Sequence, residues 1–150
     1  TISKSGIKVK GIDGMKIALA GCCSPVPGDH IIGYITKGQG VKVHRKDCVN
    51  IKNETKRLID VEWDDTYPEG KYEVKLYILA QDRSYLVSDI VTVISQCKAQ
   101  LTQVTSGVNE DKVTASTYVS VLVKDAEHLN VVVSNLKKVS QVFEVSRAQS

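Results

Sequence analysis

At 150 residues, with 42% hydrophobic and 25% charged residues, the chain has the make-up of a soluble globular protein of one average domain or two small ones, which excludes disordered and membrane classes. Its longest apolar runs are strand-length, so no transmembrane helix is expected, and residues 1–20 lack an apolar stretch of signal-peptide length. The formal charge of +3 hides a gradient: residues 1–60 hold eleven Lys/Arg against five Asp/Glu, residues 61–70 four acids and no base, and residues 71–150 nine bases and eight acids. A positive first half suits a polyanionic partner or, equally, a merely solvated basic face. Opening on Thr1 rather than methionine, the chain reads as a segment of a longer protein. Its default setting is the cytoplasm, where the four cysteines stay reduced thiols rather than forming disulfides.

Along the chain, Ile7 to Lys10 alternates apolar with basic residues, Gly11 to Gly14 turns, and Lys16 to Ala20 resumes as a second short strand. That order predicts a hairpin with a basic outer face. Ser24-Pro25-Val26-Pro27-Gly28-Asp29 is a rigid turn, its prolines fixing φ and its glycine permitting reversal. Ile31 to Thr36 and Val41 to His44 are strands of a hairpin closed by Lys37-Gly38-Gln39-Gly40, with Val41 and Val43 on one face and Lys42 and His44 on the other. Asp47 is placed to cap a short helix from Cys48 to about Asn53, and Leu58 to Trp63 reads as one closing strand.

The acidic stretch 64–70, with Pro68 and Gly70, reads as a linker between a first domain at 1–63 and a second at 71–150. In the second, Tyr72 to Ala80 alternates as a strand, and Tyr85 to Ala99 has helical spacing in Leu86, Ile90, Val93, Ile94 and Cys97. Leu101 to Val108 and Lys112 to Val123 are strands joined by a turn at Asn109-Glu110-Asp111; Ala126 to Val139 is a second helix and Val142 to Val145 a last strand. The fold class is therefore α+β, a small β-rich domain followed by a ferredoxin-like βαββαβ sandwich with one sheet face uncovered.

Three constellations carry chemistry. Cys22, Cys23, His44 and Cys48 are soft ligands that would make a tetrahedral Cys3His zinc set, His44 and Cys48 lying four residues apart across a turn. Against this, adjacent cysteines point apart in extended backbone, and buried thiols also serve as small apolar residues. Tyr34, Lys37, Lys42, His44, Arg45 and Lys46 put cations and planar side chains on one hairpin, which suits RNA backbone and unstacked bases or a solubilising face. Asp82-Arg83-Ser84-Tyr85-Leu86 precedes a helix whose N-terminal amides can receive a carboxylate, or is an ordinary capping turn. A catalytic Cys/His pair lacks an orienting third residue, and no phosphate-binding glycine loop or hydrolase signature occurs.

The segment GCCSPVPGDHIIGYITKGQGVKVHRKDC, residues 21–48, resembles a segment near the C-terminus of the long RelA/SpoT homologues, the stringent-response enzymes that make and degrade guanosine tetra- and pentaphosphate. That family's zinc-finger, or ribosome–intersubunit, domain is followed by an ACT domain, and the resemblance covers essentially the whole chain. It implies a noncatalytic regulatory fragment whose parent carries the (p)ppGpp synthetase and hydrolase domains. It implies ribosomal RNA and the A-site tRNA-loaded ribosome as partners, with the catalytic domains of the same chain as the target of regulation. It further implies structural importance for Cys22, Cys23, His44 and Cys48, which fall on the family's Cys/His motif. ACT domains also imply an amino-acid ligand (branched-chain in some members) beside the first strand–helix loop, and pairing into a homodimer. There the chain departs from the pattern, carrying Tyr85 where an ACT loop usually has glycine, with bulk that would fill such a pocket or obstruct close backbone approach.

Overall fold

The computed structural model of the chain describes residues 7–9, 16–38, 40–64 and 71–148. They belong to two compact units that divide between Gly70 and Lys71. No helix among the described residues is long and apolar enough to cross a membrane.

The first unit is built of short strands: β1 (Ile7–Val9), β2 (Ile17–Leu19), β3 (Ile31–Ile35), β4 (Val41–Arg45), β5 (Leu58–Ile59) and β6 (Val61–Trp63). β3 and β4 form the expected hairpin, running from Ile31 opposite Arg45 to Ile35 opposite Val41. The hairpin expected from the first two strands does not form. β1 instead pairs antiparallel with β6, Ile7 opposite Trp63, and β2 lies parallel to β4, Ile17 opposite Val41. Three-residue strands carry too little side chain to select a partner by themselves. Burial selects it: Ile7 and Val9 join Ile31, Val41 and Val43 in a core edged by Val61 and Trp63. The turn expected at Gly11–Gly14 lies outside the described residues, as do Gln39 of the hairpin loop and residues 65–70 of the expected linker.

Two further expectations are corrected. Leu58 to Trp63 is not one strand, because Leu58 and Ile59 pair with β3 whereas Val61 to Trp63 pair with β1. No helix follows Asp47. Cys48 donates to the Arg45 carbonyl at 3.0 Å, Ile51 to Cys48 at 3.2 Å and Glu54 to Ile51 at 3.1 Å, a succession of tight turns. Six residues rich in Val, Ile and Asn are too short and too poor in helix formers to nucleate one.

The sheet β2-β4-β3-β5 is covered on both faces. The β1–β6 ribbon packs on one, and Gly33 allows that approach: a Cβ there would stand 2.8 Å from Ile59 and from Val41 and 3.0 Å from Val61. Over the other face fold the loops carrying Cys22–Cys23 and Cys48–Ile51, which pack with Ala20, Ile32, Tyr34 and Leu58.

The second unit has the predicted order: β7 (Tyr72–Gln81), α1 (Leu86–Gln96), β8 (Gln100–Val108), β9 (Thr114–Val123), α2 (Ala126–Lys137) and β10 (Val142–Arg147). Its sheet runs β10-β7-β9-β8, antiparallel throughout, the ferredoxin-like arrangement. Val74, Leu76 and Ile78 of β7 and Val119 and Val121 of β9 are buried, as are Leu86, Ile90 and Ile94 of α1 and Leu129, Val132 and Leu136 of α2. Each of these side chains contributes about 1.5–3 kcal/mol by leaving water. The opposite sheet face is open, with Tyr118 exposed and its ring 5.2 Å from that of Tyr77. Asp125 caps α2 by accepting the His128 amide at 2.8 Å. His128 Nε2 lies 2.8 Å from the Cys97 carbonyl, tying the start of α2 to the end of α1.

Candidate metal centre and basic hairpin

The turn SPVPGD presents the first two ligands. Asp29 donates its amide to the Val26 carbonyl at 3.0 Å and accepts the Val26 amide on its carboxylate at 2.9 Å. Pro27 and Gly28 occupy the central positions, Gly28 at φ 105°, the combination a type II turn demands. The Trp63 indole donates to the Asp29 carbonyl at 3.0 Å, which pins this turn to β6. Just upstream the backbone is not extended. Ser24 adopts φ 49° and donates to the Ala20 carbonyl at 3.0 Å, so residues 21–23 curl. Adjacent cysteines therefore need not diverge here: Cys22 Sγ lies 3.4 Å and Cys23 Sγ 3.8 Å from His44 Nδ1.

Cys48 completes the group, its Sγ 3.6 Å from that of Cys22. All four ligand atoms lie within 4.8 Å of one another. A tetrahedral ion with sulfur at about 2.3 Å and nitrogen at about 2.0 Å spaces its ligands about 3.5–3.8 Å apart. The sulfur–nitrogen separations of 3.4 and 3.8 Å and the sulfur–sulfur separation of 3.6 Å lie within about 0.3 Å of that spacing, so these four residues could hold a metal ion.

Burial acts on the thiols unequally. It pushes Cys23 up to about 12, although the Arg45 amide donates to its sulfur at 3.3 Å. Burial also raises Cys22, but hydrogen bonds from Asn50, Cys48 and Cys23 outweigh it and hold that thiol below its ordinary value. His44 is pushed down, first by burial and then by the charge of Lys42, which keeps the imidazole in the neutral form that ligates metals. Sequence reading missed Asn50 and the Arg45 amide as supports; a polar residue two positions after Cys48 was the available signal.

The hairpin residues divide. Lys37, Lys42 and Lys46 are exposed. His44 is 9% exposed, with its Nδ1 3.4 Å from the Cys22 sulfur. Tyr34 is half-buried against the cysteine loops. Arg45 is largely buried and pairs with Asp47 at 3.6 Å.

At the loop before α1, Tyr85 takes φ 66°, the left-handed region natural to glycine. Its side chain is 79% exposed. Arg83 bonds Asp89 at 2.8 Å, the Ser84 carbonyl at 3.0 Å and the Ser140 carbonyl at 3.2 Å. Leu86 is buried, whereas Asp82 and Ser84 are exposed.

A Cys/His-centred β-unit accompanied by a βαββαβ sandwich defines a two-part molecule of RIS and ACT type. Residues 7–64 match the RelA/SpoT RIS domain and residues 68–147 the ACT domain. The chain belongs to the RelA/SpoT family, as the RIS and ACT regions of such a protein. It is 37% identical over 148 residues to a GTP pyrophosphokinase of Streptomyces coelicolor, covering 97% of this chain and 17% of that protein. Against the bifunctional (p)ppGpp synthase/hydrolase RelA of Mycobacterium tuberculosis the identity is 33% over 148 residues, 97% of this chain and 20% of that protein. The chain thus spans about a fifth of the curated relatives it matches. Among solved structures, the crystal structure of the ACT domain from GTP pyrophosphokinase of Chlorobium tepidum aligns with 52% of this chain and 99% of its own, at 20% identity and a TM-score of 0.46.

Proposed function

We propose that this chain is the noncatalytic regulatory region of a stringent-response (p)ppGpp synthetase/hydrolase. In this reading the RIS unit grips ribosomal RNA on a ribosome carrying A-site tRNA, and the contact is relayed to catalytic domains of the same protein. Residues 64–70 join the two units as separate domains. The observation that carries the reading is the exposure of Lys37, Lys42 and Lys46 along one hairpin, whose Ile31, Ile35, Val41 and Val43 pack in the core and whose Ile32 and Tyr34 pack against the cysteine loops. Ammonium groups held on ordered backbone are phosphate anchors that position without reading sequence. A structural metal at Cys22, Cys23, His44 and Cys48 would supply a cross-link between the two loops and β4. The residues themselves do the rest, with Gly33 and Trp63 fixing the sheet under the hairpin.

Co-sedimentation with ribosomes across a salt series tests this. Changing Lys37, Lys42 and Lys46 together to Glu should lower association and flatten its log–log salt slope by about 2–3. Association and slope unchanged in a folded variant would defeat the assignment. Sensing of a branched-chain amino acid at Asp82–Leu86 is a second reading, supported by the outward-turned Tyr85. Calorimetry with valine, leucine and isoleucine decides it: heat from one of them establishes a ligand, and no heat from any removes the sensor.

A further inference from the structure

Among the three clustered thiols, accessibility is uneven. Cys23 is 1% and Cys48 0% exposed, whereas Cys22 is half-buried and opens to solvent at the curl of residues 21–23. Its sulfur stands 3.6 Å from Cys48 Sγ, close enough that a displacement of about 1.6 Å brings the pair to bonding distance. Cys23 is a poorer partner for either, since it adjoins Cys22 in the chain and its sulfur is held by the Arg45 amide. An accessible thiol backed by a second one is the arrangement of reversible oxidation sites. The fourth cysteine is different in kind: Cys97 lies in the ACT unit, where its sulfur accepts from the Asn135 side chain at 3.5 Å.

We propose that Cys22 and Cys48 form a peroxide-sensitive pair, Cys22 as the attacked thiol and Cys48 as the resolving one, and that closing their disulfide dismantles the metal centre and loosens the hairpin. The co-reactant is a hydroperoxide. Cys22 sulfur bonds to the distal peroxide oxygen as the O–O bond breaks, and the departing oxygen takes a proton to leave as water or an alcohol. Cys48 sulfur then bonds to Cys22 sulfur and expels the hydroxyl, which leaves with a proton as a second water. The two sulfurs give up two electrons and the peroxide gains two. A dithiol reductant reverses the change. With two of four ligands joined to each other, Cys23 and His44 alone make an incomplete set for a tetrahedral ion. The turns at 21–23 and 48–51, which pack together around these sulfurs, lose their common anchor. The inference rests on the metal-centre reading for its consequence, but the pairing of the two thiols stands on distance and exposure.

Hydrogen peroxide titration of the full chain, in zinc-loaded and zinc-free forms, tests it, with thiols counted, zinc release followed and cross-linked tryptic peptides sequenced by tandem mass spectrometry, which tells Cys22 from Cys23 on the peptide they share. The expected result is loss of two of the four thiols, a linked pair of peptides carrying Cys22 and Cys48, release of zinc in step with the cross-link, and restoration by dithiothreitol. Cys97→Ser should leave the course of cross-linking unchanged. A chain that takes up no zinc yet still links Cys22 to Cys48 would sink the metal reading and keep the thiol pair. Zinc held by the cluster with no Cys22–Cys48 link, or oxidation that begins at Cys97 or ends as sulfonic acid, would overturn the pair.

Discussion

β7 and β9 of the ACT unit pair over ten successive positions, whereas β3 and β4, the longest strands of the RIS unit, pair over five. The ACT unit buries side chains from both long strands and both helices into a conventional core. The RIS unit divides its interior into a small aliphatic cluster on one sheet face and a sulfur-lined cluster on the other. A unit of that size has little apolar surface to bury and leans on a staple. The ACT unit is thus held by area, and the RIS unit by area on one face and a candidate metal site on the other.

The comparison breaks most visibly under chelation. In small zinc-dependent domains the metal contributes about 10–16 kcal/mol of apparent folding free energy, so chelator or Cys48→Ser should abolish the RIS transition in calorimetry and leave the ACT transition in place. Because the Cys23 thiol of the metal-free cluster is pushed up to about 12, it is protonated at neutral pH and must lose that proton on binding. Zinc uptake in weak buffer should therefore release protons, and zinc affinity should weaken as pH falls and tighten as it rises.

Next in size is Gly33→Ala. Its Cβ would meet side-chain carbons at 2.8 Å on two sides, so overpacking should cost about 1–3 kcal/mol in the RIS transition alone. In the ACT unit, Asp125→Ala removes the cap of α2 and should cost about 1 kcal/mol, read as a lower denaturation midpoint with unchanged m. Smallest is Tyr85→Gly, which relieves a left-handed backbone at an exposed side chain and should stabilise by up to about 1 kcal/mol. A loss of stability there would show that the exposed ring makes a contact the unit needs.

The two units also differ in how legible they are. Alternation in Tyr72–Ala80 and the helical spacing of Leu86, Ile90 and Ile94 name both the element and its buried face, because long elements repeat their pattern. β1 and β2 have three residues each, and their partners are chosen by burial against side chains from distant strands, which periodicity does not encode. The same holds for the break at Asp60, where the chain leaves one sheet for another. The Cys/His cluster is readable as candidate chemistry, from three cysteines and a histidine within residues 21–48, but the curl at Ser24 that lets adjacent sulfurs converge is not. Alternation puts Lys42 and His44 on one face, yet it does not encode that the cysteine loops cover His44 and leave Lys42 in water.

The account stands on a metal held by Cys22, Cys23, His44 and Cys48 as the fastening of the RIS hairpin. Elemental analysis of protein purified without chelator, paired with thiol counting, addresses it most directly. The account predicts one zinc per chain, three thiols protected from a reagent that titrates Cys97, and loss of both zinc and protection in Cys48→Ser. Metal-free protein with a cooperative RIS transition and all four thiols reactive would contradict it.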